Sequence, residues 1–276
     1  MLSILDSEEI TSIFLRILPE IDFPFELCKF GPKSSRKFIG DELDITRWYL
    51  GGRAAANRGV QNITSIAKVH GNLKLGFSSE SNAISEAFSE LPLTESSVLT
   101  RDDFIGKVLR TTNHDLIHYK GHISSVETAE HILSFENGTQ FRLAELGAIY
   151  EETEVFKRNP VVVLNGCSSS SSSSLIGGAD SFPHRLTNLD ISAFVGTYWK
   201  IDERAGTHFT RALYQALLDN TLLSEAVRRA RMALLDLAFS DSEKALSAKE
   251  KIACYVASRA YVYFGPSDLS VTFEGD

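Results

Sequence analysis

The sequence predicts an α/β sandwich with a mostly parallel sheet, and three observations carry that reading. Pro160-Val161-Val162-Val163-Leu164 is a continuous apolar, β-branched run, as a central parallel strand covered on both faces requires. Short strand-like and helix-like segments alternate before it, the pattern of a layered α/β fold. After it come helical segments with one apolar face, such as Phe209, Leu213, Ala216 and Leu217, which pack onto such a sheet. The 276 residues fit one large α/β unit or two small ones. With 43% hydrophobic and 23% charged residues, 17 Phe and 8 Tyr, the chain can fill a core, and wholesale disorder is excluded.

Taken in order, 67–77 reads as a strand through Val69, Leu73 and Leu75, and 82–91 places Ile84, Ala87 and Phe88 at helical spacing. Phe104, Val108 and Leu109 repeat that spacing, and Leu116, Ile117 and Tyr119 open a second strand. Segments 131–135 and 139–143 flank Asn137-Gly138, a strong hairpin signal that places the pair at the edge of the main sheet. Strands are expected over 161–164, 191–199 and 261–264, the last stopped by Gly265-Pro266. Ser224 is the expected cap of a helix carrying Ala226, Val227, Ala230 and Leu234. Seven serines, Ser168 to Ser174, followed by Gly177, Gly178 and Pro183, predict an exposed loop over 168–187. Loops of that length are often functional.

Lys plus Arg number 28 against 36 Asp plus Glu, a formal charge of −8, which argues against a general phosphate-backbone binder. Arg228, Arg229 and Arg231 read as a solvated helix face. Apolar runs stop short of the roughly 18 residues a membrane helix needs, and the acid-bearing first ten residues are unlike a secretory leader. A cytoplasmic protein with no membrane association is expected. Cys28, Cys167 and Cys254 are an odd number at wide spacings, so neither a disulfide framework nor a CxxC zinc site is available. Cys28 and Cys254 sit among apolar neighbours and are expected to be buried.

Open α/β sheets place chemistry at the carboxyl ends of their strands. Two ends stand out: the strand around Ile117 runs into Lys120-Gly121-His122, and strand 161–164 runs into Asn165-Gly166-Cys167. In each the glycine is expected to let the backbone turn sharply. If the strands are neighbours, imidazole and thiol meet at the sheet edge. A nearby imidazole lowers a thiol pKa and carries its proton, making Cys167 a nucleophile and His122 the acid that protonates a leaving amine. Backbone N–H groups at the two turns would hold the oxyanion.

Residues 114–122, HDLIHYKGH, and 161–169, VVVLNGCSS, resemble the two active-site motifs of clan CD cysteine peptidases, which include caspases, separases and CHAT proteases. Residues 194–201, FVGTYWKI, then Asp202 and a long helical stretch, resemble the CHAT pattern of a strand ending in Trp, an acid and two helices. Phe23-Pro24-Phe25-Glu26-Leu27, Phe38-Ile39-Gly40 and Tyr261-Val262-Tyr263-Phe264-Gly265 resemble that domain's opening and close, so the likeness spans about residues 20 to 270. It implies a caspase-like three-layer sandwich over residues 1–276, with 20–110 as its N-terminal part and 111–270 as the catalytic half.

The resemblance makes His122 the catalytic histidine and Cys167 the nucleophile, with oxyanion donors from the backbone of Ile123 and Cys167. Two residues depart from the usual CHAT pattern: Ile123 where Gly commonly follows the histidine, and Gly166 where Ala commonly precedes the cysteine. Asp202 either faces the first substrate pocket, as the acid does in separase-like relatives, where it favours a basic residue before the cut, or caps the following helix. Trp199 and Asn165 are expected to line that pocket. The resulting expectation is a cysteine endopeptidase acting on a protein substrate without cofactor, activated by a signal or by a partner such as a helical-repeat protein, with the serine loop as a switch. Its rival is an inactive CHAT-fold interaction module. His114, His118 and His122 lie four apart, but fourth neighbours on a strand are about 13 Å apart and cannot share one tetrahedral ion. No metal site is expected, and His118 is read as a buried sheet histidine. A serine hydrolase lacks any GxSxG turn.

Overall fold

The computed structural model describes residues 10–18, 23–31, 36–50, 59–71, 77–91, 93–110, 114–125, 131–152, 155–168, 181–240 and 246–273, with the backbone alone at 77–79, 125, 152, 167 and 168. Among the described residues ten strands form the central sheet: β1 (Ser12–Ile17), β2 (Asp44–Tyr49), β3 (Ser65–His70), β4 (Thr94–Val98), β5 (Leu116–Ser125), β6 (His131–Ser134), β7 (Gln140–Arg142), β8 (Val161–Ser168), β9 (Ala193–Thr197) and β10 (Tyr261–Phe264). The order is β1-β2-β10-β9-β8-β5-β3-β4. Every neighbouring pair on that path is parallel except β9 with β10.

Helices cover both faces. On one, α1 (Phe77–Ala87), α4 (Glu203–Leu218), α5 (Leu223–Phe239) and α6 (Ala248–Ser258) pack Ile84, Phe209, Leu213, Leu234 and Cys254 against Val161, Val163, Val195 and Tyr261. On the other, α2 (Glu145–Glu152), α3 (Phe182–Thr187) and a π-helical turn, Phe104–Arg110, pack Leu146, Phe182, Leu186 and Leu109 against Ile117, Tyr119, Val162 and Leu164. The apolar residues of β8 thus divide between two cores by the period-two alternation of a strand. This is the mostly parallel α/β sandwich that the pattern predicts, in the three layers that the resemblance implies.

Several boundaries differ from expectation for identifiable reasons. The strand expected over 67–77 ends at His70, and the helix after it begins at Phe77 rather than Asn82. The hairpin branches off the main strand path: β6 pairs antiparallel with Ile123–Ser125 of β5, and among the described residues β7 pairs with β6 alone, so the hairpin forms an edge, as expected. Pairing of β3 stops at His70 opposite Lys120, which leaves that flank of β5 to the hairpin. Within the loop expected over 168–187, residues 169–180, including the rest of the serine run, lie outside the described residues. Residues 182–187 are helical: Ser181 accepts from the His184 N–H at 3.4 Å and Pro183 lies in the first turn, where a missing N–H costs nothing. Ser224 lies inside α5, and Leu222 precedes the helix without a side-chain cap. Cys254 is buried, whereas Cys28 is only partly so.

Candidate functional site

Strands β5 and β8 are parallel neighbours near the middle of the sheet. Their register pairs Val163 with His118, Asn165 with Lys120 and Cys167 with His122. Positions 122 and 167 therefore fall on the same face, at the carboxyl ends of their strands. His122 is half-buried; the Cys167 side chain lies outside the described residues.

The glycines serve close approach, not the sharp turns expected of them. β5 continues through Gly121 and His122 to Ser125, and β8 through Gly166 to Ser168. A Cβ on Gly121 would lie 2.4 Å from the Gly71 Cα and 2.5 Å from the Tyr119 hydroxyl oxygen. That space lets the hydroxyl sit 2.8 Å from the His122 carbonyl oxygen and 3.0 Å from that of Ser134, tying the backbone at His122 to the hairpin. A Cβ on Gly166 would lie 2.4 Å from Ile123 Cδ1 and 2.6 Å from its Cγ1. The two departures from the usual motif thus fit each other: the larger residue after the histidine occupies the space left by the smaller one before the cysteine.

Below His122 and Cys167, on the same face, lies a buried polar ladder. Glu80 of α1 is 1% exposed. Its Oε1 accepts from His118 Nε2 at 2.8 Å, Asn165 Nδ2 at 2.6 Å and the Thr210 hydroxyl at 2.7 Å, while Lys120 Nζ lies 3.4 Å from its Oε2. Burial opposes ionisation of this carboxyl, but the hydrogen bond and charge of His118, then Lys120 and Thr210, outweigh it and hold the group below its ordinary range. His118 Nδ1 is 2.6 Å from the Tyr214 hydroxyl, so both its ring nitrogens are engaged, as a buried sheet histidine requires. Lys120 also faces Glu203 Oε1 at 3.2 Å. Sequence reasoning missed Glu80, although Glu80, Ile84, Ala87 and Phe88 share helical spacing, which puts an acid on an apolar face.

The remaining site residues fall in different settings. Asn165 is buried, donates to Glu80 and to the Gly206 carbonyl at 3.1 Å, and accepts from the Tyr261 hydroxyl at 2.7 Å. Trp199 is partly buried just past β9 and packs beside Tyr198. Asp202 is exposed and caps α4, accepting the Arg204 N–H at 2.9 Å. Ile123 is fully buried, with Cα partners Ser168 on one side and Leu133 on the other. Burial raises the Cys254 thiol to about 11, with Asp202 and Glu250 adding to it. Arg231 corrects the solvated-face reading: it is buried and donates to the carbonyls of Ser258 at 2.8 Å and Gly40 at 3.1 Å, whereas Arg228 and Arg229 pair with Asp44 and Glu225. Among the described residues no group of three His, Cys, Asp or Glu side chains is placed to hold a metal ion, and no helix is long and apolar enough to cross a membrane.

The family model described as the CHAT domain matches residues 44–247. A search of curated protein sequences returns no match. Among solved structures, the chain is similar to separase in the Saccharomyces cerevisiae separase–securin complex, at 14% identity and a TM-score of 0.51 over 90% of this chain and 15% of that one. It is also similar to the Arg-specific cysteine proteinase gingipain R, at 11% identity and a TM-score of 0.57 over 99% of this chain and 67% of that one. The complex of Porphyromonas gingivalis RgpB pro- and mature domains matches at 9% identity and a TM-score of 0.53, over 97% of this chain and 67% of that one. At these identities the likeness shows the fold. The chain spans about 15% of the separase's length.

Proposed function

Because the chain belongs to the CHAT domain family, whose model matches residues 44–247, we propose that it is a cysteine endopeptidase with Cys167 as nucleophile and His122 as general acid and base. The observation that carries this is the register of β5 and β8, which makes His122 and Cys167 direct Cα partners at the strand ends. His122 takes the thiol proton, and the thiolate attacks the scissile carbonyl carbon. The N–H groups of Ile123 and Cys167 receive the oxyanion. Collapse of the tetrahedral intermediate breaks the C–N bond as His122 protonates the leaving amine. A water that gives its proton to His122 then hydrolyses the thioester and restores the thiol. No step calls for a cofactor.

For the residue before the cut we propose Arg or Lys. Two carboxylates, Asp202 and Glu203, follow Trp199 just past β9, the strand paired with β8, and gingipain R, of related fold, is Arg-specific. Asp202 is committed to the helix cap, and Glu203 faces Lys120 in the ladder. Loss of basic preference in Glu203→Gln but not Asp202→Asn would assign the selectivity to Glu203. A protein partner that controls activity fits the separase–securin complex. The test of the whole reading is hydrolysis of a peptide library by the wild type and by Cys167→Ala. Cleavage is expected from the first only; equal cleavage by both ends the proposal. A second reading, an inactive interaction module, is favoured by one observation: Ile123 is paired within the sheet on both sides, where the oxyanion role needs its N–H turned to substrate.

A further inference from the structure

We infer that Glu80 is a positioning residue for the Cys167/His122 pair: its carboxylate takes His118 from one catalytic strand and Asn165 from the other, and so fixes the register and separation of the two strand ends. The inference rests on the endopeptidase reading for its catalytic consequence. Its structural part stands on the ladder alone.

One oxygen of Glu80 accepts from His118, Asn165 and Thr210. His118 is four residues before His122 and Asn165 is two before Cys167, all on one face of the sheet. A slip of one residue between β5 and β8 would send every side chain of one strand to the opposite face. Apolar contacts resist such a slip through volume, whereas hydrogen bonds to one shared oxygen fix direction as well. The far side of the web is anchored too: His118 reaches Tyr214 and Asn165 reaches Gly206, both on α4, and Asn165 also reaches Tyr261 on β10. Burying a carboxylate opposes folding unless it is paired, so this web adds specificity of geometry where apolar residues would serve stability as well. The groups facing Glu80 are His118 and Lys120 from β5, Asn165 from β8, and Thr210 and Tyr214 from α4. Lys68 and His70 from β3 line the same small cavity.

The test compares three variants of the full chain with wild type. Glu80→Met keeps bulk and removes the acceptor, Glu80→Asp keeps charge but draws the oxygens back by one methylene, and Glu80→Gln keeps one oxygen for His118 and Asn165. Folded Met and Asp variants are expected to lose about tenfold to a hundredfold in kcat with KM nearly unchanged, since small displacements of reacting groups cost that much. The Gln variant is expected to recover most of the loss. In the same variants, the pH at which Cys167 reacts half-maximally with iodoacetamide should rise toward the free-thiol value of about 8.5. Wild-type kcat in a folded Met or Asp variant overturns the inference, as does loss of kcat that tracks only the folded fraction with an unmoved alkylation pH. If the wild type neither cleaves nor labels, the endopeptidase reading fails by itself. Amide exchange at 120–123 and 165–168 then decides the positioning role: faster exchange in Glu80→Met supports it, and unchanged exchange overturns it.

Discussion

The two faces of strands β5 and β8 obey different rules. Toward α2 and α3, Ile117, Tyr119, Val162 and Leu164 meet apolar neighbours, and packing there depends on volume. Toward α1 and α4, Val161 and Val163 give way along the strand to Asn165, and Leu116 gives way to His118 and Lys120. Apolar burial holds the sheet on both sides, at roughly 25 cal/mol per Å². The first side adds the Tyr119 hydroxyl, bonded to the His122 and Ser134 carbonyls; on the second a single buried carboxylate joins side chains of both strands, and it is the side on which positions 122 and 167 lie. Stability is shared between the faces; the carboxylate that joins the strands belongs to one.

The largest expected effect tests that contrast at adjacent residues. Leu164→Met conserves volume on the apolar face and is expected to cost less than about 1.5 kcal/mol. Asn165→Leu on the other face is close in volume, yet it removes the amide that accepts from the Tyr261 hydroxyl and donates to the Gly206 carbonyl, and it takes one of three donors from Glu80 Oε1. A cost of about 3 kcal/mol is expected. Urea denaturation of both variants measures the difference, and equal costs would mean that the polar face too is held by volume alone.

A smaller effect tests where the faces meet the motif. Gly166→Ala drives a methyl group into Ile123 and is expected to destabilise by about 2 kcal/mol, as overpacking does. Ile123→Ala alone opens a cavity and destabilises as well. The double variant should be more stable than the sum of the two, with a coupling of about 1 kcal/mol or more in a double-mutant cycle. Additivity would show that the two departures from the usual motif arose independently of any contact.

Much of the architecture was legible because it is written in local pattern. The run at Val161, the apolar faces of α4 and α5 and the Asn137-Gly138 hairpin each report neighbours a few residues away. The adjacency of the two motif strands stood only as a condition, which the register of β5 and β8 meets. What was not legible depends on contacts distant in sequence. Gly121 reads as a turn until Gly71 is found against it. Nothing near Asn165 in the sequence shows that Glu80, 85 positions earlier, is bonded to it. Arg231 sits in a basic cluster on the helix, and only the carbonyls of Gly40 and Ser258 show that it points inward. The strands β1, β2 and β4 were missed as well: β1 alternates in burial but sets Phe14 on its exposed side, β2 buries the polar Thr46 and Arg47, and β4 is mostly polar, so apolar periodicity gives them little weight.

The smallest effect sharpens the contrast through protons, because ionisable groups line the polar face. His70 ends β3 on that face, and burial, followed by the charges of Lys68, His118 and Lys120, lowers its imidazole to about 4. Unfolded, it titrates near 6.5. Between those values the unfolded chain binds more protons at this site, so acid favours unfolding there. The contribution is intact above about pH 6.5, declines as pH falls toward about 4, and changes no further below that. Glu80, held below its ordinary value of 4.5, begins to lose its share only as pH falls through about that value, so the upper part of the His70 window is free of it. His114 and His208 are lowered in the same direction, so wild type is compared with His70→Asn and not read alone. The urea midpoint of wild type should fall more steeply than that of the variant between about pH 6.5 and 4. Parallel curves would place His70 in a protonatable setting and remove it from the polar face's share of acid sensitivity.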